Sequence, residues 1–104
     1  MNVQEIKESK DWLLKQLETL GITAIDTPAN YILIRVAQPK KLVSYLKQYN
    51  VYLRDRSQTE SLSGCVRLTV GDQLMMKRFW KIFESVPAKI LFTDQEQQKQ
   101  SHSV

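Results

Sequence analysis

The sequence predicts an α/β two-layer sandwich, a small and mostly antiparallel sheet with helices on one face. Three observations point there. Apolar residues recur at helical spacing in three segments, and they alternate singly in the short segments between. The resulting order is helix, strand, helix, strand, strand, helix, which suits a mostly antiparallel sheet covered on one side. The chain has 104 residues, 42% apolar and 25% charged, enough for one modest core and far from the composition of a disordered chain.

From Val3 to Leu20, the positions Val3, Ile6, Leu13, Leu14, Leu17 and Leu20 trace an amphipathic helix, and Gly21 is placed to end it. Lys10 reads as a solvated lysine on that helix. Ile22 to Ile25 suits a short strand. Asp26-Thr27-Pro28 then breaks the chain, and Tyr31 to Val36 is the next strand. Pro39 fits the first turn of a second helix. That helix has Leu42, Val43, Tyr45, Leu46 and Tyr49 on its buried side, with Asn50 as a left-handed cap.

Val51 to Arg54 reads as a strand, 55–64 as a polar loop, and Cys65 to Val70 as a half-buried strand. Asp72 can cap the last helix. Its Met75, Met76, Phe79, Ile82, Phe83 and Val86 form an apolar stripe before Pro87 stops it. Residues 1–92 therefore read as one domain. Residues 93–104, polar with four glutamines, read as a disordered tail.

Several function classes are set aside by composition. No apolar run approaches the roughly 20 residues of a membrane span, and the first residues lack the pattern of a signal peptide. Cys65 is the single cysteine and His102 the single histidine, so neither an internal disulfide nor a metal site is expected. A reducing, cytoplasmic setting follows. The net charge of +4 comes from fifteen basic residues scattered among eleven acidic ones, and by itself it assigns no partner.

Strand alternation does group some charges. Ile32, Ile34 and Val36 share one face with Val66, Leu68 and Val70, leaving Tyr31, Leu33, Arg35, Cys65, Arg67 and Thr69 on the other. Tyr52 and Arg54 alternate in the same way with Val51 and Leu53. If the strands pair in one sheet, Arg35, Arg54 and Arg67 look away from the helices together. A guanidinium offers a fork of donors matched to carboxylate or phosphate. The plainer reading is a solvated sheet face, and pattern alone favours that reading.

The local sequence shifts the balance. Val51-Tyr52-Leu53-Arg54-Asp55-Arg56-Ser57 is followed, after a short loop, by Ser63-Gly64-Cys65-Val66-Arg67-Leu68-Thr69-Val70-Gly71. Upstream stands Pro28-Ala29-Asn30-Tyr31-Ile32-Leu33-Ile34-Arg35. In this order the three segments resemble the carboxy-terminal small domain of histidinol-phosphate aminotransferases. That family carries an Ala-Asn-aromatic strand, an Arg-Asp strand end, and a Gly-Cys-hydrophobic-Arg-hydrophobic-Thr-Val-Gly strand. The resemblance is strong from 28 to 71 and extends by helix pattern over most of 3 to 86.

This resemblance implies that Arg67 receives an acidic group of the substrate, with Arg54 nearby. It implies pyridoxal phosphate as the parent enzyme's cofactor and a phosphorylated amino acid as its substrate. The reaction would be amino transfer between histidinol phosphate or its oxo form and glutamate or 2-oxoglutarate, in histidine biosynthesis, by a homodimer. A threonine-phosphate decarboxylase small domain is the alternative, since Asp72-Gln73-Leu74-Met75 departs from the Thr and acidic residues the family often has there. Cys65, Thr69, Asn30, Trp12 and Trp80 are read as structural, the tryptophans as packing residues.

The family keeps its Schiff-base lysine, the acidic partner of the cofactor ring and its phosphate cradle in a large domain before this region. The expectation is therefore a piece of a longer enzyme, inactive alone and binding no cofactor of its own. Two other classes stay open. One is a stand-alone basic module using the arginine face and the Lys77-Arg78-Phe79-Trp80-Lys81 cluster, although nucleic acid is not the expected partner. The other is a fragment that docks on an intact aminotransferase subunit.

Overall fold

The structure is a computed structural model that describes residues 2–56 and 64–96. Its first helix, α1 (Val3–Leu20), starts where the Asn2 side chain accepts a hydrogen bond from the Glu5 amide at 2.7 Å. It ends at Gly21, whose φ of 88° is the left-handed geometry that glycine adopts without a Cβ clash. The Ile22 amide donates back to Leu17 at 2.9 Å, which pulls Ile22 into the core. Strand β1 therefore begins two residues later than expected, as Ala24–Asp26.

Strand β2 (Tyr31–Arg35) leads into α2 (Pro39–Lys47), and Asn50 beyond that helix has φ 61°, the left-handed turn expected of it. The Val51 amide bonds back to Leu46 at 3.1 Å, so this residue finishes the helix rather than opening a strand. Strand β3 is accordingly only Arg54–Asp55. Strand β4 (Cys65–Thr69) and α3 (Gln73–Glu84) follow, with Asp72 capping α3 by accepting from the Met75 amide at 2.8 Å. A one-turn helix, α4 (Ala88–Leu91), comes after Pro87 and was not anticipated.

The four strands form one sheet in the order β1-β2-β4-β3, and all three pairings are antiparallel. The α/β sandwich architecture read from the sequence is the one observed. Ile32, Ile34, Val66 and Leu68 join Leu13 and Leu17 of α1, Leu42 and Leu46 of α2, and Phe79 and Phe83 of α3 in one core. Burial of each such side chain contributes about 1.5–3 kcal/mol. Phe83 lies at its centre, stacked on Trp80 with ring centroids 5.5 Å apart and tilted against Phe79 at 5.4 Å. Ile90, Leu91 and Phe92 close the core beside α2.

Some side chains differ from expectation. Tyr49 and Met75 are exposed rather than buried: Tyr49 lies in the turn beyond the end of α2, and Met75 on the outer side of the first turn of α3. Lys10 is buried rather than solvated. Its ammonium donates to the Thr27 carbonyl at 2.7 Å and the Ala29 carbonyl at 2.6 Å, and it pairs with Asp26 at 3.0 Å. It thus fastens α1 to the turn that launches β2.

Of the tail, only 93–96 is described. There the Thr93 hydroxyl accepts from the Glu96 amide at 3.3 Å while the Glu96 carboxylate accepts from the Thr93 amide at 2.9 Å, a reciprocal helix cap. The remainder of the expected tail, and most of the polar loop, lie outside the described residues. Among the described residues no helix is long and apolar enough to cross a membrane.

Candidate functional site

The register of the sheet decides which arginines meet. Arg67 on β4 stands directly opposite Leu33 on β2 and directly opposite Arg54 on β3. Directly opposed residues share a face, so Arg54 and Arg67 point the same way, on the side turned from the helices. Arg35 pairs with Cys65, two positions along, and therefore shares that face as a diagonal neighbour of Arg67. All three arginines read from alternation are brought to one surface.

Their surroundings differ. Arg54 and Arg35 are exposed, whereas Arg67 is partly covered. Leu33 and Cys65 are both buried although they lie on the helix-free face, Cys65 completely. The middle of this face is thus an apolar floor, and only its rim is the solvated surface that simple alternation suggests. Cys65 behaves as a small packing residue. Thr69 is an exposed strand residue, and Asn30 lies in the turn before β2, where its carbonyl accepts from the Val70 amide at 2.8 Å.

Among the described residues neither Arg54 nor Arg67 makes an ion pair with a carboxylate. Two guanidinium groups facing each other across adjacent strands repel, and like charges so placed cost stability. An anion binding between them would relieve that repulsion. Arg67 has one further partner: its guanidinium carbon lies 5.1 Å from the centre of the Tyr31 ring, within cation–π range. Reading by residue type missed Tyr31. The available signal was its place on the same face as Arg35, which the register turns into a diagonal contact with Arg67.

The alternative basic cluster fares differently. Phe79 and Trp80 are buried in the core, so Lys77, Arg78 and Lys81 are left exposed while the two rings of the cluster face inward. The two tryptophans are packing residues, Trp80 in the core and Trp12 against it.

Among the described residues Lys10 is not placed to carry pyridoxal phosphate. Attachment of that cofactor needs an amine able to become neutral and free. Lys10 is the buried lysine among the described residues, and its three donors are taken by two carbonyls and Asp26. Those contacts make Lys10 a structural staple.

Comparison with known proteins agrees with the resemblance noted in the sequence. The family profile of aminotransferase class I and II matches residues 1–83. A histidinol-phosphate aminotransferase of Cytophaga hutchinsonii is 38% identical over 85 residues, covering 80% of this chain and 24% of that protein. One from Ruminiclostridium cellulolyticum is 32% identical over 73 residues, covering 69% of this chain and 20% of that protein. In fold, the chain is similar to a crystal structure from Erwinia carotovora atroseptica provisionally named a histidinol-phosphate aminotransferase. The TM-score is 0.68 at 18% identity, over 78% of this chain and 23% of that one. A Burkholderia pseudomallei structure provisionally named an aminotransferase gives 0.69 at 18% identity, over 77% and 24%. The chain spans about a quarter of the length of the curated relatives it matches. With the profile match running through most of its length, the chain belongs to the aminotransferase class I and II family.

Proposed function

We propose that this chain serves as the small domain of a pyridoxal-phosphate-dependent aminotransferase of the histidinol-phosphate type, a cytoplasmic enzyme of histidine biosynthesis that works as a homodimer. Arg67 receives an acidic group of the substrate, such as the α-carboxylate of glutamate, and Arg54 supports it from the neighbouring strand. The observation that carries this reading is the direct Arg54–Arg67 pairing on the helix-free face, beside a buried floor of Leu33 and Cys65.

Electrostatics explain why two arginines suit this task. Each guanidinium presents a planar fork of donors to a carboxylate. Binding an anion there replaces a repulsion with two attractions. Pyridoxal phosphate, where the whole enzyme binds it, supplies an electron sink; this chain contributes substrate orientation and supplies no imine-forming lysine. Alone, it does not transaminate.

Titrating the isotope-labelled chain with 2-oxoglutarate tests the binding claim. Saturable shifts of the Arg67 side-chain Nε–H signal are expected, with loss of binding in Arg67→Gln and weakening in Arg54→Gln. Binding that is indifferent to Arg67→Gln would remove the proposal. Incubating the chain with pyridoxal phosphate and borohydride tests the second claim, since a stable reduced adduct at one lysine would contradict it.

A further inference from the structure

Arg67 has two diagonal neighbours on β2. Tyr31 lies across from Thr69 and Arg35 across from Cys65, so the two residues flank the position of Arg67 along the ladder, an aromatic one before it and a basic one after. The side chain is found over the ring, 5.1 Å from its centre. Attraction to the negative face of the phenol and repulsion from Arg35 both drive it there.

The backbone that carries the ring is anchored. Tyr31 is the first residue of β2, and its carbonyl accepts from the Thr27 hydroxyl at 2.7 Å. The same Thr27 hydroxyl accepts from the Ala29 amide at 3.2 Å, closing the turn. Lys10 clamps that turn through the carbonyls of Thr27 and Ala29. A chain of contacts therefore runs from a buried lysine on α1, through the turn, to the backbone of the residue whose ring lies under Arg67.

We infer that Tyr31 is a positioning residue: its ring holds the Arg67 guanidinium in one orientation, so that the fork is set before an anionic group arrives. The inference rests on the assignment of Arg67 as the anion-binding residue. Fixing the fork in advance removes rotamer freedom that would otherwise be lost on binding. The ring's electrostatics, rather than its bulk alone, perform the task, and this sets it apart from simple packing.

The test compares 2-oxoglutarate affinity of the full chain carrying Tyr31→Phe, Tyr31→Leu, or pentafluorophenylalanine at the same position. The last keeps the ring's shape and reverses the charge distribution over its face. Tyr31→Phe is expected to bind within about twofold of the unaltered chain, and the other two about three- to tenfold more weakly. The Arg67 side-chain protons should also lose their ring-current shift in Tyr31→Leu, a readout independent of binding. Should Tyr31→Leu fold poorly, the fluorinated ring carries the comparison, because it leaves the packing volume nearly intact. Equal affinity for the phenyl and pentafluorophenyl rings, with Arg67→Gln still abolishing binding, would overturn the positioning role alone. Binding insensitive to Arg67→Gln would instead remove the underlying assignment.

Discussion

Arg54 and Arg67 are direct cross-strand partners, two positive side chains side by side on the helix-free face of the sheet. Such pairing is unfavourable for folding, yet it is the arrangement that an incoming anion would stabilise. Stability and binding should therefore respond in opposite directions at this position. Arg54→Gln is expected to raise unfolding stability by about 0.2–1 kcal/mol while weakening 2-oxoglutarate binding. Urea unfolding and anion titration on the same variant check both signs, and a loss of stability would show that the two charges do not repel.

Lys10 should behave as a structural residue. Replacing it with methionine keeps the stem but leaves the Thr27 and Ala29 carbonyls without their donor, a loss of about 1–3 kcal/mol. Lys7→Met, on the exposed side of the same helix, should fall within about 0.5 kcal/mol of the unaltered chain. Denaturant midpoints of the two variants make the comparison.

Gly64 opens β4 with φ of 81°, and a Cβ placed there would lie 3.4 Å from the Val36 carbonyl oxygen. Gly64→Ala is expected to cost more than about 1 kcal/mol, since alanine strains in this region whatever space it finds. At Gly71 an added Cβ would meet the Met75 sulfur at 2.9 Å, but a flexible thioether can swing aside. Gly71→Ala should thus be the milder change in thermal unfolding.

Phe83 is wholly buried between Phe79 and Trp80. Phe83→Ala removes its burial and leaves a cavity, and about 3–5 kcal/mol should be lost. In a domain of this size that is a large share of the total, so the variant should unfold at a much lower denaturant concentration or be unfolded at once.

Much of this architecture was legible from residue order. Alternation assigned Ile32, Ile34, Val66 and Leu68 to the core and Arg54 and Arg67 to the opposite face, because side-chain direction in a strand has a fixed period. Gly21, Asn50 and Asp72 announced their helix ends through local backbone chemistry. What escaped depended on distant segments. Nothing in the spacing of α1 reveals that Lys10 will meet two carbonyls from the 27–29 turn. Likewise Leu33 could not be known to be buried, nor Tyr31 to lie against Arg67, before the β2–β4 register existed. β3 came out shorter than its pattern because Val51 is claimed by the end of α2, a competition that local propensity does not show.

The β2–β4 ladder joins Tyr31 to Thr69 and Arg35 to Cys65, with a helix and an edge strand lying between them in the chain. Ordering so long an intervening stretch delays the central ladder, and domains built on such remote pairings fold more slowly than those built on neighbouring ones. A polypeptide emerging from the ribosome has no central strand partner until β4 is made. Until that moment β2, the most apolar strand, is left with β1 alone, and this is the interval in which the nascent protein is most exposed to aggregation.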